Sequence, residues 1–283
     1  MDVHQRLLIT YAYNITGSYE DSKDIVQDAY LKFMDVDKKI ENNKAYLVRS
    51  VINLSINFKK RQKKLLSEYP GVWLPEPVAT EKADNEINNK EILSYSLMVL
   101  LEKLNAKQRA VFILKEAFSY DHEEIADVLG MTIENSRKLL SRAKEQLKTG
   151  NGTASLKITS GYFSNYLDVI HNAKMAELEK LLYDDIVLMS DGGGKVAASL
   201  KPVEGKDHVM KFLLGVYSKF YRNTRVEKRI INHQPAFLYF NDGVLTNCQI
   251  FLVNNDKIES IYFVRNPDKL KLLEEKFSKA VTF

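Results

Sequence analysis

The 283-residue chain is 45% hydrophobic, enough for two or three domains with cores of their own, and its 41 basic against 37 acidic side chains leave a net charge of only +4. Any affinity for nucleic acid must therefore come from local clusters of charge and not from a global field, and the single cysteine, Cys248, excludes an intramolecular disulfide framework. The start Met1-Asp2-Val3-His4-Gln5 lacks the basic flank and apolar centre of a signal peptide, and no run is apolar enough to span a bilayer, so a soluble cytoplasmic protein with no membrane partner is expected.

Residues 1–66 read as an all-helical domain. Apolar residues recur at helical spacing through Leu7, Leu8 and Tyr11, then through Ile25, Val26, Ala29, Tyr30 and Phe33, with Ser22 as the helix start, and then through Tyr46, Leu47, Val51, Ile52 and Leu54. The third helix runs into Lys59, Lys60, Arg61, Lys63 and Lys64, a basic cluster that a solvated helix end, favoured by the helix dipole, also explains. Residues 67–85 hold Pro70, Gly71, Pro75 and Pro77, which no helix tolerates, so this stretch is a linker. Within it Trp73-Leu74-Pro75-Glu76-Pro77 is stiff and carries one large apolar side chain suited to inserting into a neighbouring surface.

Residues 86–150 return to helix and contain the most informative stretch. Ala110, Val111, Ile113 and Leu114 give one period; after Phe118-Ser119-Tyr120-Asp121 a new one begins at Ile125, Ala126, Val128 and Leu129. Asp121 with Glu124 has capping-box spacing and Gly130 is a helix stop, so Leu129-Gly130-Met131-Thr132 is the turn of a helix-turn-helix. Thr132 can cap the next helix, which exposes Asn135, Ser136, Arg137, Lys138, Ser141, Arg142 and Lys144 while Ile133, Leu139, Leu140, Ala143 and Leu147 face inward. Such a helix meets base edges and phosphates in the major groove. On pattern alone a three-helix packing unit with a solvated basic face fits equally well.

Gly150-Asn151-Gly152 marks the next boundary, and residues 151–283 change character. Helical segments near 155–183 and 205–221 alternate with β-branched and aromatic runs at Ile186–Met189, Arg225–Asn232, Ala236–Phe240, Leu245–Val253 and Ile258–Arg265. Asn241-Asp242-Gly243 and Asn254-Asn255-Asp256 suit hairpin turns, and the whole predicts an α+β domain with a curved antiparallel sheet.

This order of parts resembles the extracytoplasmic-function (ECF) sigma factors of bacterial RNA polymerase over nearly the whole chain. Ser22 to Phe33 is similar to the region-two helix that docks on the polymerase clamp, and Lys44 to Asn57 to the helix that reads and helps open the minus-ten element. Leu104 to Phe112, Glu124-Ile125-Ala126 and Ser141 to Leu147 are similar to region four, which reads the minus-thirty-five element. Trp73-Leu74-Pro75-Glu76-Pro77, Asp191-Gly192-Gly193-Gly194-Lys195 and Asn266-Pro267-Asp268-Lys269-Leu270 in that order look like the SigJ-type subgroup, group forty-one, which carries a fused SnoaL-like C-terminal domain. The implied fold is multidomain: two all-α domains, region two and a helix-turn-helix region four, followed by an α+β SnoaL-like cone.

The resemblance implies core RNA polymerase and promoter DNA as partners, with catalysis left to the polymerase and no catalytic residue, cofactor or metal in this chain. Asp24, Gln27 and Asp28 would face the polymerase. The loop Asp37 to Asn43 and the helix after it would hold the minus-ten strand, with Asn43, Lys44, Tyr46, Arg49 and Asn53, then Lys59, Lys60 and Arg61, as contacts to a flipped base and to the backbone. Thr132, Asn135, Ser136, Arg137, Lys138, Ser141 and Arg142 would read the minus-thirty-five element. Glu134-Asn135-Ser136 stands where basic or small residues are also common, so the promoter sequence is not readable from the helix.

For the third domain, His171, His208 and His233 with Asp184, Asp185 and Asp191 invite a cyclase or isomerase reading, yet none pairs a base with an orienting carboxylate at a recognisable spacing. The Asp191 to Lys195 glycines invite a phosphate loop, but a tight hairpin fits better, and a small ligand or protein of unidentified kind at this domain stays open. If the Trp73 to Pro77 segment packs near the Asp191 to Lys195 turn or the Asn266 to Leu270 tail, the third domain becomes a built-in regulator in place of a separate anti-sigma protein. Trp73 could instead staple the linker to the adjacent helical domain. The competing classes are a small-molecule enzyme fused to a DNA-binding module, and a simple repressor, which would leave the first domain without a role.

Overall fold

The computed structural model describes residues 3–36, 40–81, 87–148, 166–170, 172–221 and 224–277. The boundaries placed at 85/86 and 150/151, the Asp37–Lys39 part of the minus-ten loop, residues 155–165 of an expected helix and His171 lie outside these residues. Two compact units form, and they do not follow chain order: Met1–Glu68 with Lys82–Gly152 make the first, Tyr69–Glu81 with Thr153–Phe283 the second. Most of the stretch read as a linker thus folds as part of the C-terminal unit. No described helix is long and apolar enough to cross a membrane.

The first unit contains α1 (Val3–Thr16), α2 (Tyr19–Met34), α3 (Asn43–Leu65), α4 (Tyr95–Leu100), α5 (Ala106–Glu116), α6 (His122–Leu129) and α7 (Ile133–Lys148). Side-chain caps set most helix starts. The Ser18 hydroxyl accepts from the Asp21 amide at 3.3 Å and starts α2, so Ser22 is not the helix start; it lies one turn inside and donates back to the Ser18 carbonyl. Asn105 with Gln108 and Asp121 with Glu124 both close full capping boxes, and Gly130 takes the left-handed φ of +58° that ends α6. α1 packs against α2, α3 and α5. Its last carbonyls, which have no partner within the helix, are taken by buried cations: Arg109 Nε and Nη2 donate to the Asn14 oxygen at 3.1 and 3.0 Å, and Lys59 Nζ donates to the Thr16 oxygen at 3.0 Å. Glu102 neutralises both, receiving Lys59 Nζ at 2.8 Å and Arg109 Nη1.

The second unit contains α8 (Met175–Leu181), β1 (Leu182–Asp191), β2 (Val203–Glu204), α9 (Lys206–Val216), β3 (Arg225–Ile231), β4 (Gln234–Asn241), β5 (Val244–Asn254), β6 (Lys257–Val264) and α10 (Pro267–Phe277). The sheet order is β2-β1-β6-β5-β4-β3, antiparallel except where β1 runs parallel to β6. Phe237, Tyr239, Phe251, Ile261, Phe263, Ile186 and Leu188 line its inner face with Val209 and Leu213 of α9; the alternate face is covered by α10 through Leu270, Leu273 and Phe277. Asp242-Gly243 and Asn255-Asp256 make hairpin turns with positive φ at both residues, as their types suggest, and Asn232-His233 makes a third without glycine. The Asp191 to Lys195 segment is not a tight hairpin. It closes a turn, Lys195 amide to Gly192 carbonyl at 3.0 Å, and opens a longer connection to β2, which pairs back on β1 at Val187↔Glu204.

Candidate nucleic-acid interface and linker clamp

Helix α7 buries Leu140, Ala143 and Leu147 and exposes Thr132 (just before it), Asn135, Arg137, Lys138, Ser141 and Arg142 along one strip. Thr132 is occupied as a cap, its hydroxyl accepting from the Asn135 amide at 3.2 Å. Ser136 is a correction to the sequence reading. It lies on the buried stripe, 0% exposed, its Oγ 2.9 Å from Nδ1 of His122, so it fixes how α7 meets α6 and is not presented to DNA. Partial burial, with Lys115 and Arg137 nearby, holds the His122 imidazole below its ordinary pKa.

Along α3 the minus-ten candidates divide into three groups. Asn43, Lys44, Lys60 and Arg61 are exposed, and Tyr46 is half-buried with its ring 5.8 Å from that of Phe33. Lys59 is corrected: 7% exposed and saturated by Glu102, Gln62 and the Thr16 carbonyl, it is a structural cation and not a DNA contact. Arg49 and Asn53 are occupied by the end of α6. Arg49 bonds the Asp127 carbonyl and pairs with its carboxylate at 3.3 Å, and Asn53 Nδ2 donates to the Val128 carbonyl at 3.1 Å. Between the two helices lies a groove of about 480 Å³, lined by Lys44, Tyr46 and Arg49 on one side and Tyr120, Glu124 and Asp127 on the other.

On α2, Asp24, Gln27 and Asp28 are exposed together, and the same strip continues into Leu31 and Met34, which are 53% and 75% exposed. Sequence reading passed over these two apolar residues because it assigned apolar positions to the core. They are one and two turns beyond Gln27 and Asp28, on the solvent side.

In the second unit the three short motifs converge on one carboxylate. Asp191, its side chain wholly buried, accepts from Tyr69 OH at 2.5 Å and the Gly193 amide at 3.0 Å on Oδ1, and from the Leu74 amide at 2.9 Å and Lys269 Nζ at 2.6 Å on Oδ2. Lys269 also donates to the Leu74 carbonyl at 2.6 Å and stands 4.2 Å from the Trp73 ring centroid, a cation–π contact. Burial and the hydrogen bond to Asp191 push the Tyr69 hydroxyl far above its ordinary range, so it stays a donor. Asn266 Nδ2 donates to Tyr69 OH at 3.2 Å while its Oδ1 caps α10 through the Asp268 amide at 3.1 Å, and Lys195 pairs with Asp268. Leu74, Pro75, Glu76, Pro77 and Leu270 are buried, and Pro267 opens α10 as its first residue. The glycines follow from close approach. A Cβ on Gly193 would stand 2.3 Å from Asn266 Nδ2, one on Gly194 2.6 Å from Pro70 Cγ, and one on Gly192 2.3 Å from the Val196 carbonyl. Downstream the linker pairs with the end of β3: the Thr80 amide donates to the Ile230 carbonyl at 3.0 Å and Asn232 returns its amide to Val78 at 2.8 Å.

Among the described residues the acid/base candidates of this unit are dispersed. His208 is exposed at the start of α9, bonded to the Glu204 carbonyl at 3.1 Å; His233 sits in a hairpin turn; Asp184 pairs with Lys206 and Asp185 is exposed.

Residues 1–65 match the family described as Sigma-70 region 2, and residues 94–147 that described as Sigma-70, region 4. The chain is 30% identical over 229 residues to the ECF RNA polymerase sigma factor SigJ of Mycobacterium tuberculosis, covering 75% of this chain and 70% of that protein. It is 21% identical over 280 residues to the probable ECF sigma factor SigI of the same organism, covering 94% and 92%. The crystal structure of Mycobacterium tuberculosis SigJ superposes with a TM-score of 0.76 at 25% identity, over 93% of this chain and 94% of that one.

Proposed function

The chain belongs to the ECF sigma factors and so directs core RNA polymerase to promoters, and from that premise we propose that α7 reads the minus-thirty-five element, α3 with its preceding loop the minus-ten element, and α2 the polymerase. The carrying observation is the exposed strip of α7, with Asn135, Arg137, Lys138, Ser141 and Arg142 presented by a helix-turn-helix whose α6 is capped at both ends and whose α7 is capped at its start by Thr132. The test is promoter-dependent initiation by purified core polymerase with the full chain. Replacing Arg137 and Arg142 together by alanine removes two cationic contacts, each worth ~1–3 kcal/mol if it reaches a base edge, and is expected to weaken promoter binding by roughly 10²-fold or more while leaving the binding of core polymerase intact. Equal promoter binding by the double variant would remove α7 from the role.

In this reading the contacts between α3 and α6 define a closed state. Arg49 and Asn53 of α3 are engaged by α6, so promoter opening requires these contacts to break and the closed and open populations to shift. The Arg49–Asp127 pair is solvent-exposed and contributes little, ~0–1 kcal/mol. Asp127→Ala is therefore expected to raise initiation at limiting protein by no more than about five-fold, read by single-round transcription. A fall in initiation would contradict the closed-state reading.

The C-terminal unit serves as a regulator in this reading and not as an enzyme. It holds residues 69–81 of the tether between α3 and α4 through Asp191, Lys269 and the end of β3. Releasing that stretch would add roughly 40 Å of extended reach between the two DNA-reading parts. A clamped tether favours the closed state and a released one the open state.

A further inference from the structure

The inner face of the cone carries unsatisfied polar groups concentrated at one end. Asn247 is 0% exposed, and among the described residues neither its Oδ1 nor its Nδ2 has a partner; the Tyr221 hydroxyl, Ser190 Oγ and Arg265 Nε are likewise buried and find no partner among them. They are neighbours by register. Asn247 pairs with Tyr239, whose ring is 4.5 Å from that of Tyr221; Ser190 pairs with Phe263, two residues before Arg265. Gln249, next along the inner face from Asn247, shows what a satisfied amide here looks like: its Oε1 accepts from Tyr239 OH at 2.6 Å and its Nε2 donates to Tyr166 OH at 2.9 Å. Tyr221 is delivered by a π-helical turn, Tyr217–Tyr221, an irregularity common at functional sites. Buried polar groups are nearly always bonded, and several left open in one place point to a missing partner.

The chemistry of that partner follows from the donors. Asn247 N–H, Tyr221 O–H, Ser190 O–H and the Arg265 guanidinium offer hydrogens, against one carbonyl acceptor. Arg265 enters none of the ion pairs among the described residues; its Nη1 is spent on the Ala197 carbonyl, and its charge pulls the Tyr221 hydroxyl down against the upward push of burial. We propose that this end of the cone binds a small organic carboxylate, its oxygens taken by Arg265, Asn247 and Tyr221 and its apolar tail laid against Phe263 and Phe237. The site abuts the clamp. Ser190 and Arg265 adjoin Asp191 and Asn266 in the chain, and the Arg265 and Asn266 amides both donate to the Asp191 carbonyl, at 2.8 and 2.9 Å. Occupancy would therefore bias the clamp, a consequence that rests on the regulatory reading above.

The test titrates the full chain with acetate, benzoate and octanoate and with benzamide and octanamide, measuring heat and, separately, the emission of Trp73, the one tryptophan in the chain. Benzoate or octanoate should bind saturably and at least about ten-fold tighter than its amide, and Arg265→Met should lose about ten-fold or more. Tyr221→Phe, which keeps the ring and removes only the hydroxyl, should lose several-fold and guards against a misfolded arginine variant. No saturable binding by any of the three acids, equal binding of acid and amide, or unimpaired binding by both variants would overturn the site and leave ordered water as the partner of these groups. Binding with Trp73 emission unchanged would uphold the site and overturn its link to the clamp.

Discussion

Asp191→Ala is expected to destabilise the C-terminal unit by about 3–5 kcal/mol and to free residues 69–81 from it. Four donors converge on this carboxylate, and one of them is the half-buried ammonium of Lys269, paired with it at 2.6 Å. Removing the acid takes a buried counter-charge from Lys269 and the acceptor from the Leu74 amide, which is costlier than the loss of an exposed pair. The melting temperature of this unit should fall by roughly 10 °C, for a unit of this size. Trp73 supplies a local readout, because its ring lies over Lys269 and no other tryptophan contributes. Its emission should shift to the red, and proteases should gain access between Tyr69 and Glu81 before the sheet unfolds. If the clamp restrains the tether, initiation at limiting protein rises in the same variant; unchanged emission and unchanged initiation together would dismiss the clamp as a regulatory device.

Local signals in the sequence mark many element boundaries but not all: they put the start of α2 at Ser22 where Ser18 caps it, and a tight hairpin at Asp191 to Lys195 where a longer connection runs. Asp121 with Glu124 and the glycine at 130 mark α6 because caps and left-handed stops act within a turn, and Asp242-Gly243 marks its hairpin for the same reason. The convergence of the three motifs on Asp191 was foreseen only as a condition, since partners 117 and 78 residues apart leave no local signature. Two misread side chains were in principle readable. Lys59 follows Ile52, Ser55 and Ile56 on the buried stripe of α3, and Ser136 stands four residues before Leu140 and seven before Ala143 on that of α7. A basic run and a polar residue on a recognition helix drew both toward DNA, while the helical period placed them inside. The turn Asn232-His233, without glycine, and the burial of Glu102 gave no such signal.

Glu102→Ala should be the most damaging single change in the helical unit, again about 3–5 kcal/mol, because it strands two cations, one of them the wholly buried Arg109. Burial alone would raise the Glu102 pKa, but Arg109 and Lys59 outweigh it and hold the carboxyl below the ordinary glutamate value. A depressed folded-state pKa means that this stabilisation is fully present above the unfolded-state value near about 4.3 and is lost as pH falls through the lower folded value. The natural chain should thus lose helical stability steeply below about pH 4, and Glu102→Ala should flatten that limb in urea-unfolding midpoints taken across pH. The triple replacement Lys59→Met, Glu102→Met, Arg109→Met separates two accounts of the triad. An ion triad that served only to neutralise itself could be exchanged for methionines with little loss. Here Arg109 and Lys59 also serve the Asn14 and Thr16 carbonyls at the end of α1, so the triple variant should recover only part of what Glu102→Ala loses, with the deficit appearing as fraying at the end of α1 in amide exchange. Full recovery would mean that capping α1 contributes nothing beyond the ion pairs themselves.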